Sequence, residues 1–237
     1  MSATPRAADE FVAALRALSD RYWGTHPFHR RMHAGELSRD ELRRWAANRW
    51  YYQSVLPRKD AAIISNCPVP EVRRDWLPRI VYHDGPAGRD AGTDADSGRE
   101  RWLRLCAAVG LDRAEVLDER HVLPGVRFAV DAYVTFARTR PWVAAVASGL
   151  TEMFSGHLMQ RRVGDMLANY EWIRPEHLSY FTNRIEAVSG EGKSTLDIVV
   201  RYSVTREQQD AAIAALSFKC DVLWSMLDAI ERAAAKE

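Results

Sequence analysis

Apolar residues recur at helical spacing along nearly the whole chain. Phe11, Leu15, Leu18 and Tyr22 form one such face. Thr4, with Pro5 at the first helical position, can open the helix that carries it. Ser38 and Glu41 stand three apart as a capping box, followed by the stripe Leu42, Trp45, Arg49, Tyr52 and Leu56. Pro57 is expected to end or kink that helix, leaving a short one near Lys59–Ser65. Further helices are expected over Pro70–Tyr82, 97–109, 112–118 and Pro124–Arg138. A long one should follow over Pro141–Asn169, then 175–189 and 194–202. Thr205 and Gln208 make a second capping box, opening a last helix to about Ala234. His83–Asp96 gathers Gly85, Pro86, Gly88 and Gly92 among acidic residues and reads as a loop. No segment alternates with a period of two between turn signals. The prediction is an all-α bundle, a single domain over 1–237.

Composition narrows the function classes. The 237 residues carry 33 Lys+Arg against 32 Asp+Glu, a net charge of +1, which gives no general field for nucleic acid or an anionic membrane. The longest uncharged apolar stretches, such as Pro141–Leu150, are far short of a membrane span, and no signal peptide is visible, so a cytoplasmic protein is expected. Cys67, Cys106 and Cys220 form neither a zinc spacing nor a disulfide framework.

Some polar residues conflict with a plain helical core. Lys219 lies on the stripe Leu216, Lys219, Leu223, Met226, where it must pair, with Asp221 or Asp228 as local candidates, or snorkel. Arg49 sits mid-stripe with Gln53 one turn on. Arg79 and His83 are four apart at a helix end, and Glu152, Met159 and Arg162 share a face. Cations in excess on buried faces call for an anionic ligand, and a small multi-carboxylate molecule is the first expectation.

Five segments carry a resemblance. Asn48-Arg49-Trp50-Tyr51-Tyr52-Gln53, Lys59 to Ile63, His83-Asp84-Gly85, His121 to Tyr133 and Phe218 to Ala229 together resemble the pyrroloquinoline-quinone synthase family, in order over nearly the whole chain. The resemblance implies a haem-oxygenase-like fold of about seven helices around a central pocket, usually a homodimer that binds no haem. It implies the last step of pyrroloquinoline quinone (PQQ) biosynthesis: ring closure and an eight-electron oxidation of a tricarboxylated precursor. Oxygen is the acceptor, hydrogen peroxide forms, PQQ is the product ligand, and neither metal nor organic cofactor is used. By the same resemblance Tyr22, Arg49, Gln53, Arg79, Arg162 and Lys219 are substrate-binding, with Trp23 and Met159 at pocket positions. His83, Glu152, Tyr133, Tyr180 and Arg184 are catalytic.

The chain departs from the family at two of these positions, where Trp23 and Met159 replace histidines. Neither Trp nor Met transfers protons at neutral pH. His157, two residues before Met159, points about 200° away on a helix and should not replace the lost side chain. His26 compensates for Trp23 only if its helix ends favourably. Three readings therefore stay open: a faithful synthase using His83 and water, an oxidase that is divergent or stops part-way, and a non-catalytic carrier. The chain lacks the paired Glu-x-x-His ligands a di-metal oxygenase needs, and no cysteine lies in the Ala129–Tyr133 turn where a thiamin-degrading relative would carry its thiol. The loop 85–96 and the segment Pro175–Lys193 are candidates to close over a ligand.

Overall fold

The computed structural model describes residues 3–86 and 97–234, and those residues contain helices and no strand. Residues 87–96, most of the expected loop and closing segment, lie outside the described residues. In chain order the α-helices are α1 Ala8–Arg16, α2 Pro27–Ala34, α3 Arg39–Asn66, α4 Pro70–Asp84, α5 Gly98–Ala108 and α6 Arg113–Leu117. They continue with α7 Pro124–Thr139, α8 Trp142–Ala147, α9 Glu152–Asn169, α10 Ser179–Tyr202 and α11 Arg206–Ala234. Short 3₁₀ turns occupy Ala17–Arg21, Trp23–Thr25, Ser148–Thr151 and Pro175–Leu178.

Both capping boxes form as expected. Glu41 N–H donates to Ser38 Oγ at 3.2 Å while Ser38 N–H donates to Glu41 Oε2 at 2.8 Å. Gln208 N–H donates to Thr205 Oγ1 at 3.2 Å, and Thr205 N–H returns to Gln208 Oε1 at 3.0 Å. Each exchange satisfies donors that a helix start leaves orphaned.

Four boundaries differ from the sequence reading. The first helix begins after Ala7, not Thr4, and breaks into 3₁₀ turns after Arg16. Pro57 does not end α3, which runs through it for 28 residues, so Lys59–Ser65 is not a separate helix. A proline removes one hydrogen bond. Here buried side chains hold the axis on both sides, Tyr52, Gln53 and Val55 before it and Lys59, Asp60 and Ile63 after. The long segment 141–169 is split by the turn Ser148–Thr151, where Ser148 Oγ donates back to Ala145 O at 2.6 Å. Conversely, the two helices expected over 175–202 are one helix, α10, after a 3₁₀ turn. Gly192 does not break α10. It lets α9 approach, since a Cβ there would lie 3.3 Å from Met153 N.

α3 packs against α4, α5 and α7, while α11 lies along α7 and α8 and α10 along α9. One apolar cluster is built on Trp45, Trp102, Phe28, Met32, Phe181 and Met226. A second gathers Phe11, Leu15, Ile63, Trp76, Val199 and Leu216. The stripe residues that are not apolar, Arg49, Lys59, Arg79, His83, Arg184 and Lys219, are buried as well, and they meet around one internal cavity.

Candidate active site

The cavity measures about 80 Å³ and is walled by α3, α4, α7, α9, α10 and α11, with Tyr22 and Trp23 from the turn before α2. Its cations fall into two groups. Arg49 and Lys219 carry no carboxylate partner among the described residues. The Arg49 guanidinium carbon lies 4.5 Å from the Trp23 ring centroid and 4.0 Å from that of Tyr52, so the planar group is held between two aromatic faces. Its Nε and Nη1 are buried without a hydrogen-bond partner. Lys219, 1% exposed, donates from Nζ to Tyr52 Oη at 2.6 Å and sits 3.6 Å above the Tyr133 ring. Tyr52 and Tyr133 are parallel at 6.4 Å, framing the amine. The local acids do not reach it: Asp221 pairs with Arg21 at 2.7 Å, and Asp228 lies 3.3 Å from His26 Nε2. Burial, with Lys59 and Arg49 adding like charge, takes the Lys219 amine well below its ordinary pKa.

The second group is already paired. Lys59 contacts Asp60, which also accepts from Trp76 Nε1 at 2.8 Å. Arg79 stacks on Trp76 at 3.8 Å and donates from Nη2 to Glu152 Oε2 at 2.9 Å and to Thr195 Oγ1 at 2.8 Å. Burial alone would raise the Glu152 carboxyl, but Arg79 and Arg184 outweigh it and hold Glu152 below the usual carboxylate range. Arg184 forms a bidentate pair with Glu191, at 2.9 and 2.7 Å. Burial opposes the Arg184 charge, and Glu191 more than restores it.

His83 closes the wall at the end of α4. Burial first, then the charges of Arg184, Lys59 and Arg49, push its pKa well below 6.5, so the ring is neutral at pH 7. Its Nδ1 is buried without a partner, beside Gly98, where an added Cβ would stand 3.2 Å away. The ring itself lines the cavity.

Of the residues singled out from sequence, Tyr22, Trp23, Arg49, Arg79, His83, Tyr133, Glu152, Met159, Tyr180, Arg184 and Lys219 line this cavity. Gln53 and Arg162 do not. Gln53 stands behind the wall and accepts from Tyr180 Oη at 2.8 Å. Arg162 is buried against His29, with Nη2 3.0 Å from His29 Nε2, and its pKa is brought down to about 10 by burial and by the Arg49 charge. His26 does not compensate for Trp23: its Nδ1 caps α2, accepting from Phe28 N–H at 3.1 Å. His157 is exposed, in an outer groove with Gln160 and Lys193.

Sequence reasoning missed Lys59, Asp60, Glu191 and His29 as site residues. Lys59 had a signal, because Tyr52, Leu56 and Lys59 are spaced four and three apart and share a helix face once α3 is read through Pro57. His29 carries a defined tautomer: with Nε2 accepting from Arg162, Nδ1 must donate to Trp23 O, at 2.9 Å. Burial and Arg162 keep it neutral, well below 6.5. Among the described residues, no group of three or more His, Cys, Asp or Glu could hold a metal ion, and no helix is long and apolar enough to cross a membrane.

A family model described as TENA/THI-4/PQQC matches residues 12–229. Curated relatives named pyrroloquinoline-quinone synthase include that of Granulibacter bethesdensis, 50% identical over 223 residues, spanning 94% of this chain and 85% of that protein. That of Cronobacter sakazakii is 48% identical over 225 residues, 95% of this chain and 87% of the relative. That of Ectopseudomonas mendocina is 46% identical over 233 residues, 98% and 91%. Among solved structures, a haem-oxygenase-like domain of unknown function from Shewanella denitrificans superposes with a TM-score of 0.76 at 12% identity, covering 97% of this chain and 94% of that one. A TenA homologue from Pseudomonas syringae gives 0.73 at 13%, with the same coverage. These two likenesses establish the haem-oxygenase-like fold.

Proposed function

The chain belongs to the TENA/THI-4/PQQC family, and on that premise we propose that it is an oxygen-dependent oxidase of the pyrroloquinoline-quinone synthase type. Its substrate is the tricarboxylated precursor and its product the quinone. The reading extends to a cytoplasmic homodimer that uses neither metal nor organic cofactor. The observation that carries it is the Arg49 guanidinium and the Lys219 amine, both buried, facing one cavity and without a carboxylate partner among the described residues. Uncompensated cations in a low-dielectric site are costly, and an anionic ligand removes that cost.

On this reading Arg49 and Lys219 take carboxylate and quinone oxygens. They also lower the energy of the anionic, reduced quinol forms through which the substrate must pass. An electron-rich quinol gives up electrons to oxygen itself, so the protein supplies binding, charge and a proton acceptor. His83 is the base: its ring is neutral at pH 7 and lines the cavity. Glu152, ionised and bound to Arg79, is a weak base and acts chiefly by holding Arg79 in place. Trp23 contributes a stacking face to Arg49, and Met159 contributes volume beside it. Tyr180, anchored on Gln53, and Arg184 form the remaining wall, where oxygen would be reduced.

The test is anaerobic mixing of purified protein with the precursor, followed by oxygen, with absorption spectra and peroxide recorded. Full conversion to the quinone is expected, with loss of turnover in His83→Ala. A bound reduced species that stalls would replace the synthase reading by that of a partial oxidase, which the absence of a proton-transferring group at Trp23 and Met159 favours. Binding without oxygen uptake would make the protein a carrier.

A further inference from the structure

The cavity offers fewer free cations than a tricarboxylate needs. Lys59, Arg79 and Arg184 each already hold a carboxylate of the chain, leaving Arg49 and Lys219 open. At about 80 Å³ the cavity has room for roughly half a dozen waters. A tricarboxylate with a ring exceeds that, so part of the lining must give way for it to enter.

The three internal carboxylates are not equally fixed. Asp60 is held by Lys59 and by Trp76 Nε1, and is 3% exposed. Glu152 is held by Arg79 and by Thr195 Oγ1, at 3.2 Å, and its pair with Arg79 ties α9 to α4. Among the described residues the Glu191 carboxylate has Arg184 as its one side-chain partner. Both belong to α10, seven residues apart, so releasing that pair breaks no tie between helices. The Glu191 backbone stays anchored without the carboxylate: Arg79 of α4 and Thr195, one turn on in α10, both donate to its carbonyl, at 3.3 and 2.8 Å. The side chain can therefore swing while the backbone beneath it remains held. Glu191 also lines the cavity itself, so its departure both frees a guanidinium fork and adds volume where the anion must go.

We propose that Glu191 is an internal stand-in for a substrate carboxylate: it occupies Arg184 in the empty site and yields that fork to the third carboxylate of the incoming ligand. This rests on the functional reading above and adds to it a specificity element: Arg184, on the wall where oxygen would be reduced, also holds a substrate carboxylate there. A ligand with two carboxylates is satisfied by Arg49 and Lys219 and leaves Glu191 in place. A ligand with three must displace it, and gains a bidentate contact in return. Until then the pairing keeps a buried arginine satisfied and keeps smaller anions from settling on it.

The experiment is calorimetric titration of the wild type, Glu191→Gln and Glu191→Asp with two probes, PQQ itself and dipicolinate, a planar aromatic dicarboxylate. Removing the internal competitor should tighten PQQ binding about tenfold in Glu191→Gln, the scale of one charge-assisted pair that need not be broken. Glu191→Asp, whose shorter arm cannot hold the fork, should move the same way, and dipicolinate should bind all three proteins alike. PQQ binding that is unchanged or weaker in both variants, with wild-type binding intact, overturns the exchange and leaves the functional reading standing. Equal tightening for both probes also overturns it, since the effect would then belong to the whole cavity. Failure of PQQ to bind any of the three removes the functional reading, and the exchange with it.

Discussion

Replacing Tyr52 by Phe removes a single oxygen and leaves the ring between Arg49 and Tyr133. That oxygen is the hydrogen-bond partner of Lys219 Nζ, at 2.6 Å, in a site where Lys219 is 1% exposed. A buried amine stripped of its partner costs about 1–3 kcal/mol. For a chain of this length each kcal/mol is about 2–4 °C in Tm, so a loss near 2 kcal/mol lowers Tm by roughly 4–8 °C. Lys219→Met removes the amine at similar volume and should be neutral or stabilising, because the cost of burying an amine that is charged in the unfolded chain disappears with it. In the Lys219→Met background Tyr52→Phe should cost almost nothing, which makes the coupling between the two positions about 1–3 kcal/mol. Urea unfolding of the four proteins gives the cycle. The pH dependence has a fixed sign. Lys219 titrates below 10.5 in the folded protein, so as pH falls from 10.5 the unfolded chain takes up a proton that the folded one does not. The advantage of Lys219→Met over wild type should therefore grow between pH 10 and 7. An identical cost for Tyr52→Phe in both backgrounds, or a Lys219→Met advantage that shrinks over that range, would refute the reasoning.

Other outcomes follow from groups already described. His29 and His83 are buried neutral, with pKa values well below 6.5, so stability is full above that value and falls below it by about 1.4 kcal/mol per pH unit for each. His29→Gln, which keeps an acceptor for Arg162, should take one proton out of that slope in urea midpoints measured from pH 7.5 to 5. Gly98→Ala places a Cβ 2.7 Å from Tyr82 Cε1, and the overpacking should cost about 1–3 kcal/mol in the same assay. The three cysteines are buried and free, with the Cys220 thiol pushed up to about 11 by burial and Cys106 raised further. A thiol reagent at pH 7 should therefore label none quickly in the native protein and all of them in denaturant.

The parts of the fold legible in the sequence were those set locally. The capping boxes at Ser38 and Thr205 and the apolar stripes fixed where α3 and α11 begin and which faces they bury. Pro57 misled because its cost is local, whereas the packing that overrides it comes from helices far away in sequence. That error also hid Lys59, whose place on the Tyr52 face exists only if α3 is continuous. Arg49 and Lys219 stood out because a cation on an apolar stripe contradicts its surroundings. Glu191 and His29 gave no such contradiction. An acid beside Gly190 and Gly192 reads as surface, and a histidine in an eight-residue helix reads as ordinary. What makes them matter is Arg184 and Arg162, met only in three dimensions.

The continuity of α3 sets a limit of a different kind. Arg49, Tyr52, Leu56, Lys59 and Asp60 all reach the cavity from this one helix, over about 16 Å of axis at 1.5 Å per residue. Losing a single residue between Arg49 and Lys59 would turn everything beyond it by about 100°. Lys59 and Asp60 would swing off the wall, and Ile63 out of the second apolar cluster, with the composition almost unaltered. Substitutions along the same stretch have graded effects, each confined to its own contacts. Over these eleven steps the number of residues is therefore held more tightly than their identity, and drift in this part of the gene should keep its length while its letters change.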